Sequence, residues 1–389
     1  MRLIKLVTHE FIHESRDERE LQVAHGLGFE TIVMAKGDQP HREDRPYYQL
    51  HLHGTRPLGT RIHPNINRFV SIFTWARTLK RYRADVISCH DLTALFIGWL
   101  STRYTRKKHR PLLVYDSHEF ELGRNTEGKR SVRMQKFIAR LEKFLIKRSV
   151  FSIMVNDSIA DEVTEIHQLE QRPIVVRNVP PYWHLDEEVI TAQRQAFIEA
   201  LAMPKETFLM MYHGHVFKGR GVETLMAVTK ENPQVALIIL GNGEASYMEE
   251  LKSLSETYGI EKRVLYHPAV PVESLWRYVG AADVGMVLVP AVSKSYYYMS
   301  PNKFFENIQA QTPIICSHFP EVTKIIEAYQ IGLTVDPEDI KAIGETVERL
   351  RLDSTLYEQM KTNLMAAKKV LCWEQEQHVL KDAYLKVFK

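Results

Sequence analysis

Cysteine is scarce in this 389-residue chain: Cys89, Cys316 and Cys372 are odd in number and far apart. They support neither a disulfide framework nor a zinc knuckle, and a reducing, cytoplasmic setting fits them best. Long apolar runs are missing too. Charges interrupt every window that approaches the roughly 20 apolar residues needed to span a bilayer. The opening MRLIKLVTHEF has only a short apolar run, broken by lysine, and no small-residue cleavage site, so export is not expected. An excess of one charge is also absent. With 51 basic and 48 acidic residues the formal charge is +3, too little to argue for nucleic acid, although the basic residues crowd into the first half. No interleaving of cations with stacking aromatics marks a nucleic-acid module, so no such partner is expected. There is no tandem repeat and no low-complexity tract, which sets aside solenoids and propellers.

What is present is a β-α-β rhythm. Runs rich in Val, Ile and Leu recur at RLIKLVT (2–8), ETIVMAK (30–36), DVISCH (85–90), LLVYD (112–116), FSIMVN (151–156) and IVVRN (174–178). Continuous apolar runs of this kind suit parallel strands buried on both faces, and the spacers are long enough for crossover helices. The two prolines of RNVPPYWH (177–184) break the pattern and mark a hinge. It resumes with FLMMYHG (208–214), VALIILGNG (235–243), RVLYHPAV (263–270), DVGMVLVP (283–290) and PIICS (313–317). The fold class read from this is α/β, with two doubly wound domains at 1–180 and 181–370. Residues 371–389 form an amphipathic closing helix, expected to pack back on the first domain.

Two segments carry chemistry. In YHGHVFKGRGVETL (212–225) a strand runs into a glycine-rich basic loop and then a helix starting near Gly221. Gly214, Gly219 and Gly221 permit close backbone approach, the helix-start amides can bind phosphate, and Lys218 and Arg220 add positive charge. The same pattern also suits a solvated basic loop. In YYYMSPNKFFENIQAQTPIICS (296–317), Ser300 is a candidate cap for a helix with Pro301 at its first position. Asn302 and Glu306 share one face with Lys303 beside them, while Phe304, Phe305 and Ile308 pack on the other side. Glu306 can serve the helix dipole, or it can accept hydrogen bonds from ribose hydroxyls.

YHGHVFKGRG, IILGNGE (238–244), AADVGMVLVP (281–290) and SPNKFFENIQAQTPIICS (300–317) together resemble glycosyltransferase family 4 of the GT-B superfamily. The resemblance implies two Rossmann-like domains facing a central cleft, the first for the acceptor and the second for a nucleotide-diphosphate sugar donor. It implies transfer of a hexosyl unit with retained configuration, with the donor as co-substrate and no cofactor. Donor-binding positions carried over are Gly214, His215, Lys218, Gly241, Gly243, Ser300, Asn302 and Glu306. Arg220 and Lys303 would stabilise the departing diphosphate.

Two positions depart from the family pattern. His215 stands where a phosphate-binding arginine is usual, and Met299 where the first of two glutamates is usual. In the first domain DVISCHDLTAL (85–95) and VYDSHEF (114–120) resemble strand-end segments of the family, making His118 the candidate contact for donor sugar or phosphate, arranged by Asp116 and Glu119. No Asp-X-Asp triplet exists to hold a divalent cation, so no metal is expected. His51 and His53 fall on one strand face without a third ligand.

The acceptor side, HEFIHESRDERE (9–20), is less legible. Basic amphipathic stretches at 67–83 and 128–149 either pack onto the sheet or dock on an anionic membrane surface. Docking would suit a lipid-linked saccharide acceptor at the cytosolic face, as in bacterial envelope or exopolysaccharide assembly. Two alternatives stay open: a nucleotide-sugar epimerase or phosphorylase-like protein of the same architecture, and a binding module without turnover.

Overall fold

A computed structural model describes residues 1–11, 15–37, 45–54, 57, 59, 63–124 and 130–388. Residues 12–14 of HEFIHESRDERE and 128–129 of the second basic stretch lie outside the described residues.

The chain divides into two compact units. Met1–Arg177 and Gln377–Lys389 make the first, and Asn178–Glu376 the second. The first holds a seven-stranded parallel sheet: β1 (Arg2–Leu6), β2 (Glu30–Lys36), β3 (Gln49–His53), β4 (Val86–His90), β5 (Leu112–Ser117), β6 (Phe151–Met154) and β7 (Ile174–Val175), in the order β3-β2-β1-β4-β5-β6-β7. Its helices are α1 (Ser15–Gly26), α2 (Pro64–Arg81), α3 (Asp91–Arg103), α4 (Val132–Ile146) and α5 (Asp157–His167).

The second unit repeats the plan with β8 (Phe208–His213), β9 (Val235–Leu240), β10 (Val264–His267), β11 (Val284–Val287), β12 (Ile314–Ser317) and β13 (Gly332–Val335), ordered β10-β9-β8-β11-β12-β13 and again parallel. Between and after them run α6 (Glu187–Leu201), α7 (Val222–Glu231), α8 (Ala245–Thr257), α9 (Leu275–Gly280), α10 (Lys294–Tyr297), α11 (Asn302–Gln309), α12 (Pro320–Tyr329), α13 (Ile340–Leu352), α14 (Ser354–Val370) and α15 (Trp373–Phe388).

Strand alternation builds two core layers in the second unit. Met210 and Tyr212 of β8 join Leu237 and Ile239 under α7 and α13, while Leu209 and Met211 join Ala236 and Ile238 under α6 and α9. Every residue of β8 and β9 is buried, which is why their sequences read as unbroken apolar runs. Strand order reverses between β1 and β4 and between β8 and β11, so both sheets have a crevice at the C-terminal ends of these strands.

Pro180 and Pro181 lie three and four residues inside the second unit rather than at its border. They are tied there because the Trp373 N–H donates to the Pro180 carbonyl at 2.9 Å and the Trp183 N–H to Gln309 Oε1 at 3.0 Å. Leu371–Glu376 stays with the second unit for the same reason, and only from Gln377 does α15 belong to the first. There Tyr384 packs on Phe29 and Phe151, at 5.7 and 5.3 Å between ring centroids. All three cysteines are free and buried. Among the described residues no helix is long and apolar enough to cross a membrane.

Candidate active site

The second unit's site grows from the end of β8. Gly214 and Gly241 bring two loops backbone to backbone: a Cβ on Gly241 would stand 1.9 Å from the Gly214 carbonyl oxygen. The Val216 N–H then donates to the Asn242 carbonyl at 2.9 Å, and a Cβ on Gly243 would meet the Val216 oxygen at 2.3 Å. Gly241 and Gly243 therefore shape the loop against its neighbour. Gly221, in the left-handed region at φ 80°, caps α7 and leaves no room for a side chain beside the Leu288 carbonyl.

On this frame Arg220 and Lys303 stand without an ion-pair partner among the described residues. The Arg220 guanidinium lies 4.5 Å from the Phe217 ring centre and 5.1 Å from that of Tyr296. Its Nη2 reaches the Tyr296 hydroxyl at 3.3 Å, while its Nε is buried with no hydrogen-bond partner among the described residues. Lys303 Nζ sits 3.9 Å from the Tyr212 ring centre, and no described carboxylate pairs with it. Burial and the Arg220 charge pull Lys303 down to about 7, against the opposing pull of Glu306. Glu306 itself is bonded to His213 Nε2 at 2.9 Å, and the other ring nitrogen of buried His213 has no partner among the described residues. Two cations beside a held carboxylate can grip a diphosphate and a diol together.

The remaining positions are placed as follows. The Asn302 side-chain oxygen accepts from Asn178 at 2.8 Å. Helix α11 starts at Asn302, with Pro301 and not Ser300 at its N-cap. Proline's extended φ and ψ of −72° and 147° suit that half-in position, so Ser300 falls one residue outside the expected cap. Lys218 points away, paired with Glu250 at 2.7 Å on the surface. His215 is exposed, its ring 5.3 Å from that of Phe217. Met299 is half-buried and borders a void of about 10 Å³ with Val287, Val289, Pro301, Ser317, Phe319 and Val322, a mostly apolar setting.

The first unit holds a second constellation at the C-terminal ends of β1, β4 and β5. Lys5 Nζ contacts Asp17 at 2.8 Å, Glu20 at 2.7 Å and Asp116 at 2.5 Å. Arg16 adds bonds to Glu20 at 2.9 Å and Asp116 at 3.0 Å. His118 Nε2 meets Asp116 at 3.0 Å, His90 Nδ1 meets Asp17 at 2.9 Å, and the two imidazoles lie 3.7 Å apart. Burial resists charge on every member, but the opposite charges win: Lys5 is raised, and Asp17 and Asp116 are held far below the carboxylate range. His90 is also raised, because Asp17 outweighs its burial. Three carboxylates against Lys5 and Arg16 leave one negative charge, which a single imidazolium balances.

Asp17, His90 and His118, and likewise Glu20, Asp116 and His118, approach closely enough to hold a metal ion. The Lys5 ammonium already contacts three of these carboxylates, so these residues do not fit an additional cation. Glu119 does not arrange His118; it pairs with Arg124 at 2.8 Å, leaving Asp116 as the holder. His51 and His53 pack on Tyr82 and Trp75.

Comparisons with known proteins agree with this layout. The family profile described as Glycosyltransferase Family 4 matches residues 21–178, and that described as Glycosyl transferases group 1 matches residues 193–366. The chain belongs to the GT-B glycosyltransferases of the family 4 type. A D-inositol 3-phosphate glycosyltransferase of Xylanimonas cellulosilytica is 26% identical over 199 residues, 50% of this chain and 46% of that protein. The chain thus spans about half the length of the curated relative it matches. Among solved structures, Anabaena Alr3699/HepE in complex with UDP superposes with a TM-score of 0.76 at 13% identity, covering 100% of this chain and 99% of that one. Sucrose-phosphate synthase from Thermosynechococcus elongatus gives 0.76 at 17% identity, with 100% and 99% covered.

Proposed function

We propose that this protein is a metal-independent, retaining hexosyltransferase that moves a sugar from a nucleotide-diphosphate sugar to a hydroxyl of a lipid-linked saccharide in cell-envelope or exopolysaccharide assembly. The observation that carries this reading is the pair Arg220 and Lys303, without an ion-pair partner among the described residues, beside the His213-held carboxylate of Glu306. Arg220 Nε and Lys303 Nζ take the diphosphate oxygens, and Glu306 accepts from the ribose hydroxyls. As the bond from the anomeric carbon to the diphosphate oxygen breaks, negative charge grows where these cations already stand. The acceptor oxygen bonds to that carbon on the same face, and its proton passes to the departing diphosphate, so no separate base is required. From the first unit, His118 contacts the donor sugar or its phosphate, held by Asp116. Neutralisation by side chains leaves no step that needs a metal. Bound UDP and UDP-glucose in the Anabaena relative support a nucleotide-sugar donor.

The test is a panel of UDP-, GDP- and dTDP-sugars with and without lipid extract, the product's anomeric configuration being read by NMR. Transfer with the donor's configuration kept is expected. An inverted product would overturn retention, and an altered free nucleotide sugar would identify an epimerase. The apolar setting of Met299 and the exposed position of His215 favour one other reading, a binding module without turnover. Donor binding with no product from any acceptor would establish it.

A further inference from the structure

We propose that Phe217 and Tyr296 are positioning residues that hold the Arg220 guanidinium ready for a diphosphate without neutralising it. A cation that waits for an anion can be fixed in more than one way. A carboxylate partner fixes the side chain but cancels its charge and competes with the incoming phosphate. An unsupported arginine keeps its charge, but on binding it gives up the rotamer freedom of a long side chain. An aromatic face avoids both penalties, because the ring quadrupole attracts a cation while carrying no net charge.

The surroundings of Arg220 are of this last kind. Its backbone turns between Gly219 and Gly221, both at φ 80°, and this sets the direction in which the side chain leaves the loop. At the far end the guanidinium lies 4.5 Å from the Phe217 ring centre and 5.1 Å from that of Tyr296. Both distances are inside the roughly 6 Å reach of a cation–π contact. The Tyr296 hydroxyl also accepts from Nη2, but 3.3 Å is long for such a bond, so the ring rather than the hydroxyl carries the placement. Two ring contacts are comparable with the freedom that one long side chain loses, so they offset that cost before any anion arrives.

Tyr296 is itself held. It lies on the single turn α10, where Ser293 Oγ accepts its backbone N–H at 3.2 Å and the neighbouring Tyr297 ring packs on Phe319 at 5.5 Å. Lys303 repeats the pattern, its Nζ 3.9 Å from the centre of the Tyr212 ring. Tyr212 is fixed in turn by donating its hydroxyl to the His215 carbonyl at 2.7 Å. Both cations of the site therefore rest on rings. The proposal rests on the reading of Arg220 as a diphosphate ligand, and the arms of the test separate the two.

The experiment is calorimetric titration of the full chain with inorganic pyrophosphate, at low salt and with EDTA present. F217L/Y296L should bind about tenfold more weakly than wild type, the cost of ordering one long side chain on binding, and Y296L alone about threefold more weakly. Y296F keeps both rings and should stay within about twofold of wild type, since it lacks only a long hydrogen bond. Arg220→Ala should lose about a hundredfold, and F217L/Y296L added to it should cost no more than about twofold further, because the rings act through the guanidinium. Melting curves matching wild type establish that the variants fold; where F217L/Y296L melts early, Y296L carries the same comparison. An equal loss from the ring substitutions in the Arg220→Ala background would overturn the proposal while leaving Arg220 a ligand. So would wild-type affinity in F217L/Y296L, or a loss in Y296F as large as in F217L/Y296L. Wild-type affinity in Arg220→Ala, or no binding by wild type, would overturn the diphosphate reading of Arg220 and this proposal with it.

Discussion

Lys303 is the residue most sensitive to an arriving anion. Burial first, and the neighbouring Arg220 charge second, pull its amine down to about 7. A bound diphosphate favours the charged form and raises that value, so binding above pH ~7 takes up a proton. Affinity for the donor's nucleoside diphosphate should be full below the free value and fall by up to about tenfold per pH unit above it, until the bound value is reached. Calorimetry in buffers of different ionisation enthalpy reads the proton directly. Lys303→Met should abolish both the uptake and the slope, and a wild-type affinity that is flat from about pH 6 to about pH 8 would contradict this assignment.

His213 is a different case, since it acts through Glu306. His213→Ala should raise the donor KM by about tenfold to a hundredfold, the value of a hydrogen bond to a charged group. Glu306→Ala should add little on top, because the two act as a unit. Simple additivity in the double-mutant cycle would show that they do not. His213 was adjacent to a recognised glycine loop, but its partner is 93 residues away and nothing local in the sequence pairs them.

At the level of elements, apolar runs made most strands legible, since β8 and β9 are buried along their whole length. The edge strand β13, Gly332–Val335, was not legible, being four residues long and only partly buried. The glycine loop was legible as a loop, but the use of Gly241 and Gly243 in packing against Gly214 and Val216 depends on contacts between distant segments. The charged cluster at the ends of β1, β4 and β5 was the least readable. A lysine in a buried strand looked like an interruption, and its partner Asp116 lies 111 residues on. Lys5→Met leaves three carboxylates with Arg16 and one imidazolium, one buried negative charge uncompensated, and should cost about 3–5 kcal/mol in urea unfolding, against under about 1 kcal/mol if the cluster were well hydrated. Asp17 and Asp116 are held below their ordinary values, so their stabilisation is complete above about pH 4 and is lost as pH falls through the folded values.

For the whole chain, the repeated β-α-β rhythm was enough to read two doubly wound units. The hinge was placed by its prolines, yet the backbone bond from Trp373 to Pro180 assigns those prolines to the second unit. Only contacts made in the fold show this. The first unit is discontinuous, taking its last residues, Gln377–Lys389, from the end of the chain. Truncation after Glu376 removes Tyr384 and Phe388 from Phe29 and should lower the first unit's melting temperature while leaving binding of the donor's nucleoside diphosphate in place. Loss of that binding on truncation would contradict the division.

Donor turnover in excess EDTA, compared between wild type, Arg220→Ala and Lys303→Met, tests most directly whether protein cations alone neutralise the leaving diphosphate. Undiminished transfer by wild type, falling by about a hundredfold or more in each variant, is the predicted result. Turnover that stops in EDTA and returns with a divalent metal, or that survives both substitutions, would contradict it.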